Sequence, residues 1–522
     1  MKRIDRSSKV RDFHQAKWNE PIIFELSRKG ERGVLVPAAE EDIVRQVGDG
    51  LSKLPVSMRR KGLANLPEIN QKTVLMHYLR LSQETLGGNV NMEIGQGTCT
   101  VKYNPKVNEI IAGSEKMTEL HPLQDESTVQ GILEIMHRTD LIMREISGMD
   151  YFSFQPGGGS QAAMTMASIV RMYHRVRGEE EQRDEIITTI YSHPSDAAAP
   201  ALKGYKIIKI MPDENGLPDY EAFKAAVSEK TAAFIVANPE DTGLFNPRVK
   251  EFTKLVTEAG GLNCYDQANA NGLFGIARAK EAGFDMCYFN LHKSFGTPHG
   301  CGGPGCDAVG VTKELRDYLP KPLVEFDGNK YFLDDNLKYS IGKVKSFHGT
   351  PQAVLKAYAW IMMLGAEGLY EVAKVASLNN VYLNKKLLEY KGLTLPYKPE
   401  MQRIEQARYT MEEITNDTGV TTGDVSRRVM DFGMHIWSSH HPYYIPEPIT
   451  LEPTESPTKD DLDEYVATLH HIFDEAYNNP DIIRSAPHNS TTHQTDESSL
   501  DDPAQWCPTW RVYLRKTESE KG

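Results

Sequence analysis

"AAFIVANPEDTGLFNPRVKEFTKLVTEAGGLNCYDQAN", residues 232–269, is the stretch that decides how this chain folds. It opens on an apolar run, AAFIVA, too short for an ordinary helix and suited to a strand buried on both faces. Asn238 and Pro239 end that run. A helical pattern follows in PRVKEFTKLVTEAGG (247–261), and a second apolar run in LNCYDQAN (262–269) closes on turn-prone polar residues. Strand, helix, strand is the repeating unit of a parallel sheet. A third run, FDMCYFNLHKSF (284–295), comes after another helix-compatible stretch. Asn238, Asp266 and Lys293 therefore recur 28 and 27 residues apart, each at or just beyond a strand's carboxyl end. Ligands of open parallel sheets gather at that edge, so the spacing predicts that the three polar residues converge on one crevice.

Upstream, YFSFQPGGGSQAAMTMASIVRMYHRV (151–176) reads as a strand, a glycine turn and a long helix from near Ser160. Downstream, residues 350–390 form a long helical stretch. Two more helices follow, in TGDVSRRVMDFG (422–433) and KDDLDEYVATLHHIFDEAYNN (459–479), and low complexity is confined to the polar tail NSTTHQTDESSLDD (489–502). The expected division is an N-terminal arm over 1–110, a large domain over 111–345 and a smaller C-terminal α+β domain over 346–522.

The 522 residues, 40% hydrophobic and 25% charged, suffice for more than one core. A net charge of -13 argues against a nucleic-acid or anionic-membrane surface, because both would repel the mean field. The charged first residues lack an apolar signal segment, and no uncharged run approaches the roughly 20 residues of a membrane span. A cytoplasmic protein is expected. Its cysteines (Cys99, Cys264, Cys287, Cys301, Cys306, Cys507) contain no paired C-x-x-C, which fits free thiols and offers no zinc site.

Gly157, Gly158, Gly159 and Ser160 stand where a strand meets a helix. Their N–H groups and the Ser160 hydroxyl can receive a phosphate, though three glycines equally serve a tight turn. Asp266 can cap the next helix or pair with a protonated pyridine nitrogen. At about 4 Å and an effective dielectric near 20, such a pair is worth roughly 4 kcal/mol, enough to keep the ring protonated. Lys293, partly desolvated, can attack a carbonyl and form a Schiff base. Phosphate turn, carboxylate and lysine together are the three anchors of pyridoxal 5'-phosphate. His193, in YSHPSDAAAP, can stack on the ring or simply pack, and His292 can touch phosphate or substrate carboxylate or simply pack. The loop GTPHGCGGPG (296–305) allows close backbone approach and movement.

At these residues the chain resembles the glycine decarboxylase P-protein family of the glycine cleavage system, in its two-subunit bacterial form, and within it the lysine-bearing subunit 2. The resemblance runs through IIFELSRKGERG near the start, GTCTVKYNPKVNE (97–109), LHPLQDESTVQG (120–131), NLHKSFGTPHG, GAEGLYEV and LEPTES (451–456). It implies a pyridoxal-phosphate-dependent transferase fold of the aspartate-aminotransferase type, with a large mixed-sheet domain and a smaller C-terminal domain. It also implies that Lys293 binds the cofactor, Asp266 faces the pyridine nitrogen and His193 stacks on the ring. The implied reaction is decarboxylation of glycine with transfer of the aminomethyl group to the lipoyl arm of H-protein. Implied partners are a subunit 1-like chain, the H-protein and further copies in a homo- or hetero-oligomer.

Departures from the family pattern cluster in the pocket. Ala163 stands where a glutamate is usual, and His-Gly-Thr-Asn-Pro has become His193, Pro194, Ser195, Asp196 and Ala197. Gln267 and Cys301 replace glycines, and FHGTP replaces a more typical Phe-Tyr-Gly-Asn. Two other readings therefore stand beside the leading one. One is a paralogous pyridoxal enzyme acting on another amino acid or acceptor; the other is a non-catalytic subunit that stabilises a complex.

Overall fold

A computed structural model describes residues 10–34, 37–48, 50–62, 64–86, 92, 94–95, 99–297, 305–434, 436, 444–495 and 502–519. The chain divides into two units, Met1–Asp12 with Gly88–Ala486 and Phe13–Gly87 with Pro487–Gly522. In the smaller unit the helix Gln71–Gln83 begins at Asn70, whose side chain accepts from Thr73 N–H, and Phe24 stacks on Trp510 with ring centroids 5.0 Å apart.

The larger unit is built on a seven-stranded sheet. Its strands are β1 (Tyr151–Ser153), β2 (Glu185–Thr189), β3 (Lys206–Ile210), β4 (Thr231–Ala237), β5 (Leu262–Asp266), β6 (Met286–Asn290) and β7 (Asp307–Val311). The spatial order is β1-β7-β6-β5-β4-β2-β3, and β3, β2, β4, β5 and β6 are parallel. Only β7 is reversed, pairing antiparallel with β6 and with β1, so β1 points the same way as β6.

The unbroken apolar runs arise from burial on both faces. Ala233 and Ile235 of β4 enter one core with Cys264, Met286, Tyr288 and Val309, while Phe234 and Val236 enter another with Tyr265, Cys287 and Phe289. Period-two alternation is present in space but hidden in sequence, because both alternating sets are apolar. Helices cover each face. Among them are α1 (Gln130–Ser147), α2 (Gly159–Val176), α3 (Pro194–Leu202) and α4 (Val249–Glu258). On α4, Val249, Phe252, Thr253 and Val256 recur at helical spacing and are buried, and the Phe252 ring lies 4.5 Å from that of Phe223. The chain leaves α4 at Gly260 with φ +84°, a conformation glycine adopts without penalty.

The expected long C-terminal helix is α5 (Pro351–Leu387), broken at Gly365, where φ is +65°. Its first half packs on the sheet and its last turns join a separate core. That core also holds the antiparallel pair β8 (Ala407–Thr410) and β9 (Pro448–Leu451) with α6 (Thr422–Val429) and α7 (Lys459–Asn478). The resulting α/β architecture is the expected one. No helix among the described residues is long and apolar enough to cross a membrane.

Candidate active site

Because β1, β2, β4, β5 and β6 share one direction, their carboxyl ends all open onto the same edge of the sheet. The glycine turn comes after β1, His193 after β2 and Asn238 after β4, while Asp266 ends β5 and Lys293 lies just beyond β6. Lys293 is only 6% exposed. Its backbone N–H donates to Asn290 O at 3.0 Å, and its Nζ donates to Asn269 Oδ1 at 3.0 Å. Asp266 accepts from Ala268 N–H at 2.8 Å, a tight turn that carries the chain from the strand end to Asn269. On β6, Tyr288 is the register partner of Asp266.

Gly158 caps α2 without any side-chain cap, leaving the first-turn N–H groups for a ligand. A Cβ on Gly157 would lie 2.6 Å from Lys345 Nζ, one on Gly159 would lie 3.3 Å from Asn290 Nδ2, and one on Gly158 would meet nothing within 4 Å. The turn therefore has a cation beside it, while its Gly157 N–H already donates to Gln161 Oε1 at 2.7 Å. Lys345 Nζ also donates to Thr350 Oγ1 at 2.7 Å. Ser160 is exposed at the start of α2.

The remaining expected residues are more committed to structure. His193 is exposed and caps α3, its Nδ1 accepting from Ser195 N–H at 3.1 Å. Asn238 uses its amide to close a loop, donating to Asn246 O at 3.2 Å and accepting from Asn246 N–H at 2.7 Å. His292 is buried, with Nδ1 accepting from Cys306 N–H at 3.1 Å and lying 3.7 Å from Asp307 Oδ1. Cys306 is buried too, and burial pushes its thiol up. Cys301 and most of the loop GTPHGCGGPG lie outside the described residues.

Several neighbours of Lys293 carry no mark in the sequence. Asn269 Nδ2 donates to Glu452 Oε2 at 3.0 Å, and Thr100 Oγ1 donates to Glu452 Oε1. Glu405 accepts from Gly272 N–H at 2.5 Å. Lys102 Nζ lies 3.1 Å from Glu455 Oε2, and also donates to Asn271 Oδ1. Burial, followed by the charge of Glu405, pushes Glu452 up to about 8; burial also pushes Glu405 up to about 7, against the pull of Gly272 N–H, Lys102 and Lys293. Lys102 is lowered by burial, opposed by Glu455. Three carboxylates face two amines here, and burial favours protons on the Glu405–Glu452 pair. The segments GTCTVKYNPKVNE and LEPTES held the signal, since they contain Lys102, Glu452 and Glu455, but nothing in them names a contact with Lys293. Lys345, in a loop after the sheet, gave none.

Pyridoxal 5'-phosphate can be tested against these groups. Both carboxylate oxygens of Asp196 and of Asp307, and Oδ1 of Asn290, are buried with no hydrogen-bond partner among the described residues. Uncapped helix N–H groups and Lys345 suit a phosphate, Asp266 suits a protonated ring nitrogen, and the Lys293 amine suits an aldehyde. The residues fit the group. A separate cavity of about 380 Å³, lined by Met136, Phe154, Leu323 and Phe347 among others, contains neither Asp266 nor Lys293.

Residues 157–418 match the family described as aminotransferase class-V, and residues 372–491 match the glycine dehydrogenase C-terminal domain. A probable glycine dehydrogenase (decarboxylating) subunit 2 of Pyrococcus abyssi is 42% identical over 98% of this chain and 99% of its own. The protein of that name from Thermococcus kodakarensis is 43% identical over 97% and 99%, and that from Caldanaerobacter subterraneus 39% identical over 91% and 96%. Among solved structures, an inhibitor-bound glycine decarboxylase (P-protein) superposes with a TM-score of 0.70 at 20% identity, covering 84% of this chain and all of that one. A NifS-like protein superposes with a TM-score of 0.55 at 17% identity, over 72% and 97%. Both share the fold.

Proposed function

The chain belongs to the glycine dehydrogenase (decarboxylating) subunit 2 family, and on that premise we propose that it is the cofactor-binding subunit of a pyridoxal-phosphate-dependent glycine decarboxylase. It acts with a subunit 1-like chain, in the cytoplasm and as an oligomer, and passes the aminomethyl group of glycine to the lipoyl arm of H-protein. The near-full-length relatives of that name do not favour a paralogue acting on another amino acid. The observation that carries the reading is the placement of Lys293, Asp266 and an uncapped glycine turn at one sheet edge.

When bound, pyridoxal phosphate supplies the electron sink that the departure of carbon dioxide requires. The chain does the rest. The first turn of α2 and the Lys345 side chain would hold the phosphate, and Asp266 would hold the positive charge of the ring nitrogen. Lys293 would provide the amine for the aldehyde, and Asn269 holds that amine through the 3.0 Å hydrogen bond. Glu405 and Glu452, both raised by burial and both within the electrostatic reach of Lys293, could take up the proton that this amine gives up, which would leave the net charge of the pocket unchanged. Burial around Lys293 excludes water.

Exchange of labelled carbon dioxide into glycine tests the function. It should be brisk when the chain is combined with a subunit 1-like chain and lipoylated carrier, and weak with other amino acids. Exchange into another amino acid but not glycine would overturn the reading.

A further inference from the structure

Asp196, in the first turn of α3, is fully buried, and neither of its carboxylate oxygens has a hydrogen-bond partner among the described residues. Its side chain meets that of Asp266. As two carboxylates, the pair can offer each other only acceptors; a proton on one turns the contact into a hydrogen bond. In the resembling family this position is an asparagine, which would donate permanently.

We propose that Asp196 is a positioning residue that holds a proton against Asp266, so that Asp266 presents its charge to the ring-nitrogen site, and that it does so as a carboxylic acid in place of an amide. The inference rests on the cofactor reading for what Asp266 faces, but not for the proton itself.

The surroundings support a neutral Asp196. From β5 it faces Asp266 and Cys264, and from β6 Tyr288, all of which favour a proton on it or carry none of the opposite charge. α2 and β3 also pack on α3, yet their basic groups are engaged elsewhere. Arg171 donates to Lys203 O at 2.6 Å and pairs with Glu180; His174 lies 2.9 Å from Ala232 O; Lys206 pairs with Asp184 at the surface; Lys209 is exposed. Burial, then the Asp266 charge, raises Asp196 well above the ordinary carboxylate range.

This shift gives the pH effect a definite sign. A folded-state value above the unfolded one means stability falls as pH climbs from about 4, the unfolded value, toward the folded one, and is level beyond it. Asp196→Asn keeps the size and supplies a donor that does not titrate, so it should escape that loss. Thermal melts of the cofactor-free full chain from pH 4.5 to 8.5 should show the variant equal to the wild type at the acid end. At the alkaline end it should melt higher by about 2 °C or more.

Parallel melts at every pH would overturn the proposal. A variant that fails to fold would overturn it too, because an amide should satisfy Asp266 at least as well as an acid. Absence of visible cofactor absorbance in the wild type would instead contradict the function proposed above, and the melts would still decide the state of Asp196.

Discussion

Asn269 spans the gap between Lys293, whose Nζ is 3.0 Å from its Oδ1, and Glu452, whose Oε2 is 3.0 Å from its Nδ2. One side chain thus aims the amine and ties it to an acidic group. Hydrogen bonds to charged groups contribute about 1.5–3 kcal/mol, so Asn269→Ala should slow cofactor capture about tenfold or more while circular dichroism stays unchanged. Glu452→Gln is subtler. The Glu405–Glu452 pair, raised by burial to about 7 and about 8, gives up its protons across that window. Capture by the wild type should therefore change across this window. The Gln variant should lack the upper part of the change, which stopped-flow absorbance against pH will show. Lys293 and Asp266 were legible in sequence because Asp266 ends a recognisable strand and Lys293 closely follows one. Glu452 and Lys102 were not, because their contacts join segments hundreds of residues apart in the chain.

At the scale of elements, the phosphate cradle combines α2, whose start is visible in GGGS, with a loop that sequence could not place. Gly157 leaves room for Lys345 where a Cβ would lie 2.6 Å from its Nζ. Lys345→Ala should weaken binding of pyridoxal 5'-phosphate by about tenfold or more, the value of one charge-assisted hydrogen bond. It should leave binding of unphosphorylated pyridoxal nearly unchanged, as fluorescence titration will test. Equal losses for both ligands would remove Lys345 from the phosphate site. Asn238 shows the opposite case. It recurs in step with Asp266 and Lys293 because every parallel strand ends at the same edge, yet its amide is engaged by Asn246. Strand-end position places a residue near the crevice but does not decide which way its side chain is used.

At the scale of the molecule, the parallel sheet was readable because apolar runs buried on both faces look alike wherever they occur. β7 was not. Its DAVGV comes after a glycine-rich loop, and its antiparallel placement between β1 and β6 depends on long-range pairing. The C-terminal core draws on α5, β8, β9 and α7, whose joining is likewise a tertiary fact. All of these elements serve to bring one amine, one carboxylate and one glycine turn to a common edge. The most direct measurement is reduction of the purified chain with borohydride in the presence of pyridoxal phosphate, followed by peptide mapping. A single phosphopyridoxyl group on Lys293, lost in Lys293→Ala with the fold intact, is the expected result. A label on another lysine, or one that persists in the variant, would contradict the account.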